Sequence, residues 1–199
     1  MGNKLQQIPQ DIVICNSLTL EWERIIMVLR KVSLFYHESE ESPMEIQRIK
    51  SFEIDHTILD PGFYISRVDG DITTFDLRTR KPNTDSLITP SCMHTLEHMF
   101  ATFIRNSSIA ENVVYFGPMG CQTGFYLLTR GVSPKEVFDQ TKLVLEKIMA
   151  YEGPVFGCSP IECGNYKTLN LQTAKDECGP YLEVLNKVTD FTFSYPTGE

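Results

Sequence analysis

The chain lacks a basic excess, long apolar runs and a compact cysteine framework, and each gap removes a class of protein. Eighteen lysines and arginines stand against 26 acidic residues, a formal charge of -8. That balance argues against nucleic acid or an anionic membrane surface as the main partner. No apolar run reaches the roughly 18 residues needed to cross a bilayer. Ile25 to Tyr36 comes nearest, but Arg30 and Lys31 interrupt it and Glu21 and Glu23 precede it, so it reads as neither a spanning helix nor a signal sequence. Six cysteines, at positions 15, 92, 121, 158, 163 and 178, are scattered and are expected to stay reduced, as in a cytoplasmic protein. There is no internal repeat and no low-complexity tract. Histidine is scarce, with four in the whole chain.

At 199 residues the chain has room for one compact domain with an appended arm. Its 42% hydrophobic content is ordinary for a chain that buries a core. The opening residues differ from the rest. The pattern predicts an amphipathic helix over Leu18–Leu34, which the charged, proline-ended run His37–Pro43 then breaks. Residues 1–43 are read as an extension, either an interaction arm or the product of a start placed upstream of Met44. The domain proper is then 44–199, opening on an alternating, strand-like run from Met44 to His56. Phe63–Val68 and Ile72–Leu77 flank Asp69-Gly-Asp71, a hairpin signal. Pro90 opens a helix carrying His94 through to Arg105. Val113–Phe116 and Phe125–Leu128 predict two more strands around the glycine-rich connection Gly117–Gly124. Ser133-Pro-Lys-Glu136 is a capping box ahead of a helix to about Ala150. A last helix is expected over Leu171–Val188, disturbed at Gly179-Pro180. This order implies an α+β fold, an antiparallel β-sheet with packed α-helices.

His94-Thr-Leu-Glu-His98 carries the most chemical information. On a helix, positions i and i+4 stack on one face, so both imidazoles can reach a single cation. Glu97 projects beside them, close enough to move a proton without binding the ion. Arg105, seven residues after His98, returns to roughly the same face. A catalytic metal site needs a third protein donor and an open position. Ile161-Glu-Cys-Gly-Asn-Tyr166 offers two candidates. Cys163 gives a His2Cys set suited to Zn2+ or Fe2+, and Glu162 a His2Glu set. Spacing does not choose between them. His-x-x-Glu-His is also the inverzincin signature, in which the motif glutamate activates water. A metallopeptidase is therefore the alternative on spacing alone.

Met119-Gly-Cys-Gln-Thr-Gly124 sets Cys121 in a glycine-flanked turn, where the backbone can approach a ligand and the thiol stays accessible. A thiolate near a dication can serve as general acid or base. Ser51, His56 and Arg78 have weaker claims. A lone histidine is more often structural, and an arginine ending a strand is commonly solvated.

Taken together, Ser51-Phe-Glu-Ile-Asp-His56, Phe75-Asp-Leu-Arg78 with Lys81-Pro-Asn83, His94–His98, Pro118–Phe125 and Glu162-Cys-Gly-Asn165 resemble the S-ribosylhomocysteine lyase family, LuxS type. They occur in that family's order and span about residues 44–188. The resemblance implies a single LuxS-like α+β domain and a cytoplasmic homodimer with its active sites at the subunit interface. One divalent metal per subunit is implied, usually Fe2+, with Zn2+ or Co2+ as substitutes. It selects Cys163 over Glu162 as the third ligand beside His94 and His98. It makes Glu97 and Cys121 the acid/base pair, and Ser51, His56, Arg78 and Arg105 the groups that position substrate. The implied reaction cleaves S-ribosylhomocysteine to homocysteine and 4,5-dihydroxy-2,3-pentanedione, the precursor of autoinducer-2. Two positions depart from the pattern. Arg80 stands where many members carry cysteine, and Tyr115 where many carry an acid. Neither nucleic acid nor a membrane is expected as partner.

Overall fold

The computed structural model describes residues 23–31 and 46–198, and the chain divides into two units, Met1–Gln47 and Arg48–Glu199. In the first unit, residues 23–31 form a helix, α1. Both ends of the helix expected over 18–34, and the charged run after it, lie outside the described residues.

In the second unit, the strands are β1 (Gly62–Asp69), β2 (Ile72–Arg78), β3 (Val113–Pro118) and β4 (Gly124–Arg130). They form one antiparallel sheet in the order β1-β2-β4-β3. Three helices cover one face: α2 (Pro90–Ile104), α3 (Pro134–Ala150) and α4 (Leu171–Asn186). The α+β expectation is borne out. No described helix is long and apolar enough to cross a membrane.

Strand alternation explains which residues meet the helices. Phe75 and Leu77 of β2 and Phe125 and Leu127 of β4 join the core with Leu96, Met99 and Phe100 of α2. Val137, Val144 and Ile148 of α3 and Cys178, Tyr181 and Leu185 of α4 close it. Asp76 and Arg78 consequently point to the opposite face, though both are buried. Gly70, at φ +63°, makes the tight β1–β2 turn that a β-carbon would strain. Both predicted helix starts carry their caps. Thr89 Oγ1 accepts from Cys92 N at 3.3 Å, with Pro90 in the first turn, and Ser133 Oγ accepts from Glu136 N at 3.3 Å.

Two expectations need correction. Residues 46–49 have no regular structure and Lys50–Phe52 is a single 3-10 turn, so the alternating run toward His56 is not a strand. Asp55 explains part of this: its Oδ1 accepts from the backbone and hydroxyl of Thr57 at 2.8 and 2.6 Å, a local turn that competes with strand pairing. Pro180 does not interrupt α4, which runs through it. A mid-helix proline forfeits one bond and costs about 3 kcal/mol. Ala174, Glu177, Cys178, Tyr181 and Leu185, buried on either side, hold the helix together.

Arg80 has a structural role. Its Nη1 and Nη2 each reach a Glu177 carboxylate oxygen on α4 at 2.5 Å, and its Nε donates to Ser86 O at 3.0 Å. This two-pronged pair ties the end of β2 to α4. Beyond α4 the chain returns along β1. Ile65 N donates to Phe193 O at 2.8 Å, and the buried Phe193 ring meets Phe63, Phe138 and Phe191.

Candidate active site

The first half of α2 and the segment between α3 and α4 bring three donors together. One nitrogen each from His94 and His98 and the Cys163 sulfur all lie within 4.8 Å of one another. Cys163 Sγ is 3.4 Å from His94 Nε2, and the two rings meet edge-on at 4.7 Å. Donors sharing a tetrahedral ion at about 2.0–2.3 Å stand roughly 3.3–3.6 Å apart; the Cys163–His94 pair already has that spacing, and the other donors, within 4.8 Å, would draw in around one cation. His98 is oriented from behind. Its Nδ1–H donates to Phe156 O at 2.7 Å, which leaves the Nε2 lone pair free toward the cluster, as ligating histidines require. Gly157 makes that approach possible: it sits at φ +67°, and a β-carbon there would come within 3.0 Å of His98 Nδ1. Asn165 N donates to Cys163 Sγ at 3.3 Å. Glu162 is not part of the set; its carboxylate accepts from Ser159 Oγ at 2.6 Å.

A second group lies on the face of the sheet away from the helices. Arg78 is 2% exposed. Its Nη2 donates to Asp76 Oδ2 at 2.6 Å and its Nη1 to Thr123 Oγ1 at 2.5 Å, with Cys121 Sγ 3.9 Å away. Cys121 Sγ and Thr123 Oγ1 are 3.0 Å apart. Burial pushes the Asp76 carboxyl above its ordinary range, against the pull of Arg78, the Tyr195 hydroxyl and His56. Burial opposes the charge on Arg78, yet Asp76 beside it holds the guanidinium charged. Gly124 allows this meeting, because a β-carbon would stand 2.5 Å from Leu77 O and 3.2 Å from Arg78 Cα. The turn carrying Cys121 is fixed by Gln122, whose φ of +59° is unusual for a side-chain-bearing residue, and by Ile88 N donating to Gln122 O at 3.1 Å.

The remaining expected residues fall as follows. Glu97 is half-buried on α2 next to His98. His56 Nδ1–H donates to Ile54 O at 2.9 Å, and its ring is close enough to act on Asp76. Ser51 lines an open cavity of about 390 Å3 with Tyr115, Tyr126 and Thr74, within the size range of small-molecule sites. Arg105 is the C-cap of α2, and its guanidinium donates to Val113 O at 2.9 Å and Val114 O at 3.2 Å. The Tyr115 ring lies across Gly117, where a β-carbon would collide with it. Cys92 and Cys178 are buried and unpaired. Burial pushes the Cys92 thiol up to about 11 and the Cys178 thiol higher still, so both remain neutral thiols.

No hydrogen bond or ion pair among the described residues joins the His94–His98–Cys163 set to the Arg78–Cys121 group. Asp76, Thr123, Phe156 and Gly157 were not singled out in the sequence. Asp76 and Thr123 sit inside quoted motifs, and a glycine after an aromatic in a proline-containing loop was the only signal for Gly157.

The family model of S-Ribosylhomocysteinase (LuxS) matches residues 49–191. The S-ribosylhomocysteine lyase of Borreliella afzelii (strain PKo) is 43% identical over 157 residues, covering 76% of this chain and 100% of that protein. That of Desulfotalea psychrophila is 42% identical over 159 residues, covering 76% and 100%. That of Phocaeicola vulgatus is 40% identical over 161 residues, covering 77% and 100%.

Proposed function

Because the chain belongs to the S-ribosylhomocysteinase (LuxS) family, we propose that it is a carbon–sulfur lyase acting on S-ribosylhomocysteine, with homocysteine and 4,5-dihydroxy-2,3-pentanedione as products. The observation that carries the reading is the His94–His98–Cys163 donor set, in a chain that matches these lyases along their whole length.

A thioether bond is hard to break directly, but a carbonyl separated from the sulfur by two carbons makes β-elimination feasible. A divalent metal, Fe2+ by preference and Zn2+ or Co2+ as substitutes, would supply Lewis acidity for moving that carbonyl along the sugar. His94 Nε2, His98 Nε2 and Cys163 Sγ would hold it, with His98 kept in the correct tautomer by Phe156 O.

The chain's own groups would move the protons. No hydrogen bond among the described residues engages the Glu97 carboxylate, so it is free to accept a proton from a sugar carbon and return it to the neighbouring one. Cys121 is exposed, with the Arg78 guanidinium 3.9 Å from its sulfur, and would do the same from the other side of the sugar. Glu97 would take the last proton as homocysteine departs. Ser51, from the cavity it lines, would orient the open-chain sugar together with His56, Arg78 and Arg105, the last from its seat against β3.

We further propose a homodimer with the active site completed between subunits. Support comes from the separation of the two polar groups within one chain, and from Leu87, Val114, Tyr115 and Ile161, which are exposed at 55%, 41%, 48% and 96%. Exposed apolar groups of this size mark association surfaces when they cluster. Thiol release from S-ribosylhomocysteine, measured with metal content on the same sample, tests the reading. A metal-loaded sample that releases no homocysteine would refute it. Sedimentation showing only monomer alongside full activity would refute the shared site.

A further inference from the structure

The family match stops at residue 191, but the chain beyond it carries a polar group into the Arg78 cluster. Asp76 is 0% exposed, and its Oδ2 accepts two hydrogen bonds, from Arg78 Nη2 at 2.6 Å and from the Tyr195 hydroxyl at 2.8 Å. Its Oδ1 and the Arg78 Nε have no hydrogen-bond partner among the described residues. A single carboxylate oxygen is thus shared between the tail and the guanidinium whose other prong reaches Thr123 and Cys121. We propose that Tyr195 is a positioning residue: by holding Asp76, its hydroxyl sets how far Arg78 can serve Thr123 and Cys121, and so how reactive the Cys121 thiol is.

The neighbouring tyrosines show how a purely structural phenol behaves in this fold. Tyr64 and Tyr181 each give their proton to a main-chain carbonyl, Asp60 O and Gly62 O, both at 2.9 Å. Tyr195 instead gives its proton to a buried carboxylate whose other hydrogen-bond partner among the described residues is Arg78. Its ring is held independently of that bond. It stacks on Tyr64 at 5.0 Å and 21°, and the tail is anchored two residues earlier by Phe193, which is 3% exposed. Phe193 adopts φ +54°, a conformation that costs a side-chain-bearing residue energy and persists where burial over-determines it. Ser66, opposite the tail, is the residue skipped in the β1–β2 register, and its hydroxyl also meets Tyr195. A bulge re-aims a side chain in this way.

The direction of the effect follows from charge. The phenol hydrogen bond neutralises part of the Asp76 carboxylate. Without it, the full negative charge falls on Arg78, draws Nη2 inward and leaves less positive field at the sulfur 3.9 Å from Nη1. The other titratable groups acting on this pair are His56, Tyr64, Tyr126, Tyr181 and Cys121, and Tyr195→Phe leaves all of them in place.

The inference rests on the proposed lyase reading only for its consequence in turnover, and its test needs no substrate. Alkylation of Cys121 by iodoacetamide is followed peptide by peptide in the full chain across the neutral pH range, with exposed Cys158 as internal reference. Tyr195→Phe should slow the Cys121 reaction near neutrality by roughly threefold, moving its pH profile up by about half a unit, while Cys158 is unchanged. Tyr64→Phe, which deletes the other hydroxyl of the stacked pair, should leave the profile in place. A Tyr195→Phe profile that superimposes on the parent's, or that moves to lower pH, overturns the proposal whatever happens to thermal stability. Failure of the parent to cleave S-ribosylhomocysteine would refute the lyase reading and leave this result standing.

Discussion

Gly157→Ala separates the cost of an unusual backbone from the cost of displacing His98, a proposed metal ligand. Gly157 holds φ +67°, and an added methyl would stand 3.0 Å from His98 Nδ1 and 3.2 Å from Cε1. The left-handed backbone alone costs a β-carbon roughly 1–2 kcal/mol. The steric part acts on the ring. Contacts relax toward about 3.5 Å or more, so either the imidazole tips or the loop backs away. In both cases the 2.7 Å bond from His98 Nδ1 to Phe156 O lengthens. Losing such an outer partner weakens metal binding roughly 10–100-fold, or about 1.4–2.8 kcal/mol. Gly70 supplies the control: its φ is +63°, and a β-carbon there meets nothing within 4 Å. Gly70→Ala should lower stability by the same roughly 1–2 kcal/mol while leaving metal affinity alone. The assay is Zn2+ or Co2+ titration against a chromophoric chelator, with thermal unfolding of both metal-free variants alongside. Equal metal affinity for Gly157→Ala and the parent would refute the argument that this contact holds His98 in place.

Cys163→Ala should abolish metal binding and Glu162→Gln should preserve it, read by elemental analysis; the reverse result would restore the His2Glu alternative. Cys121→Ala should keep its metal and lose thiol release, and normal turnover would remove Cys121 from the proton transfers. Glu177→Leu strands Arg80 in a half-buried site and should cost about 3 kcal/mol in denaturant unfolding, most of it recovered by adding Arg80→Met; additive losses would show that the pair is not coupled. Stability should fall as pH rises from 9 toward about 11, because the unfolded Cys92 thiol releases its proton while burial keeps the folded one protonated. Cys92→Ala should make that alkaline limb shallower, with buried Cys178 supplying the remainder, and an unchanged slope would show that the Cys92 site opens to water.

How much of this was legible in the sequence depends on the distance over which each interaction acts. The two helix caps, the β1–β2 turn and the i, i+4 histidines are local features, and the chain states them directly. The third donor was not local: Cys163 is 69 residues from His94, and spacing could not separate it from Glu162 next door. The resemblance favoured Cys163, and the fold brings that sulfur to the histidines. An arginine ending a strand is commonly solvated, and nothing local marks Asp76, two residues before it, as different. Alternation in β2 instead buries both on one face. Arg80 shows in the sequence only as a departure from the family pattern, because its partner Glu177 lies 97 residues away. The run before His56 looked like a strand by alternation, but the Asp55 side chain competes for the backbone there. Tyr195 is 119 residues from Asp76, and nothing local announces it.

The tail that carries Phe193 also changes what β1 offers to other molecules. β1 is an outer strand of the sheet, and outer strands expose unpaired amides that recruit foreign chains into aggregates. Here Ile65 N is already taken by Phe193 O, with an aromatic plug sealing the same margin. A shortened protein ending where the family match ends would therefore lose two things at once. Emptying the plug's site costs about 3–5 kcal/mol by analogy with buried phenylalanine truncations. It would also leave β1 open to intermolecular pairing, so such a protein should fail first in solubility.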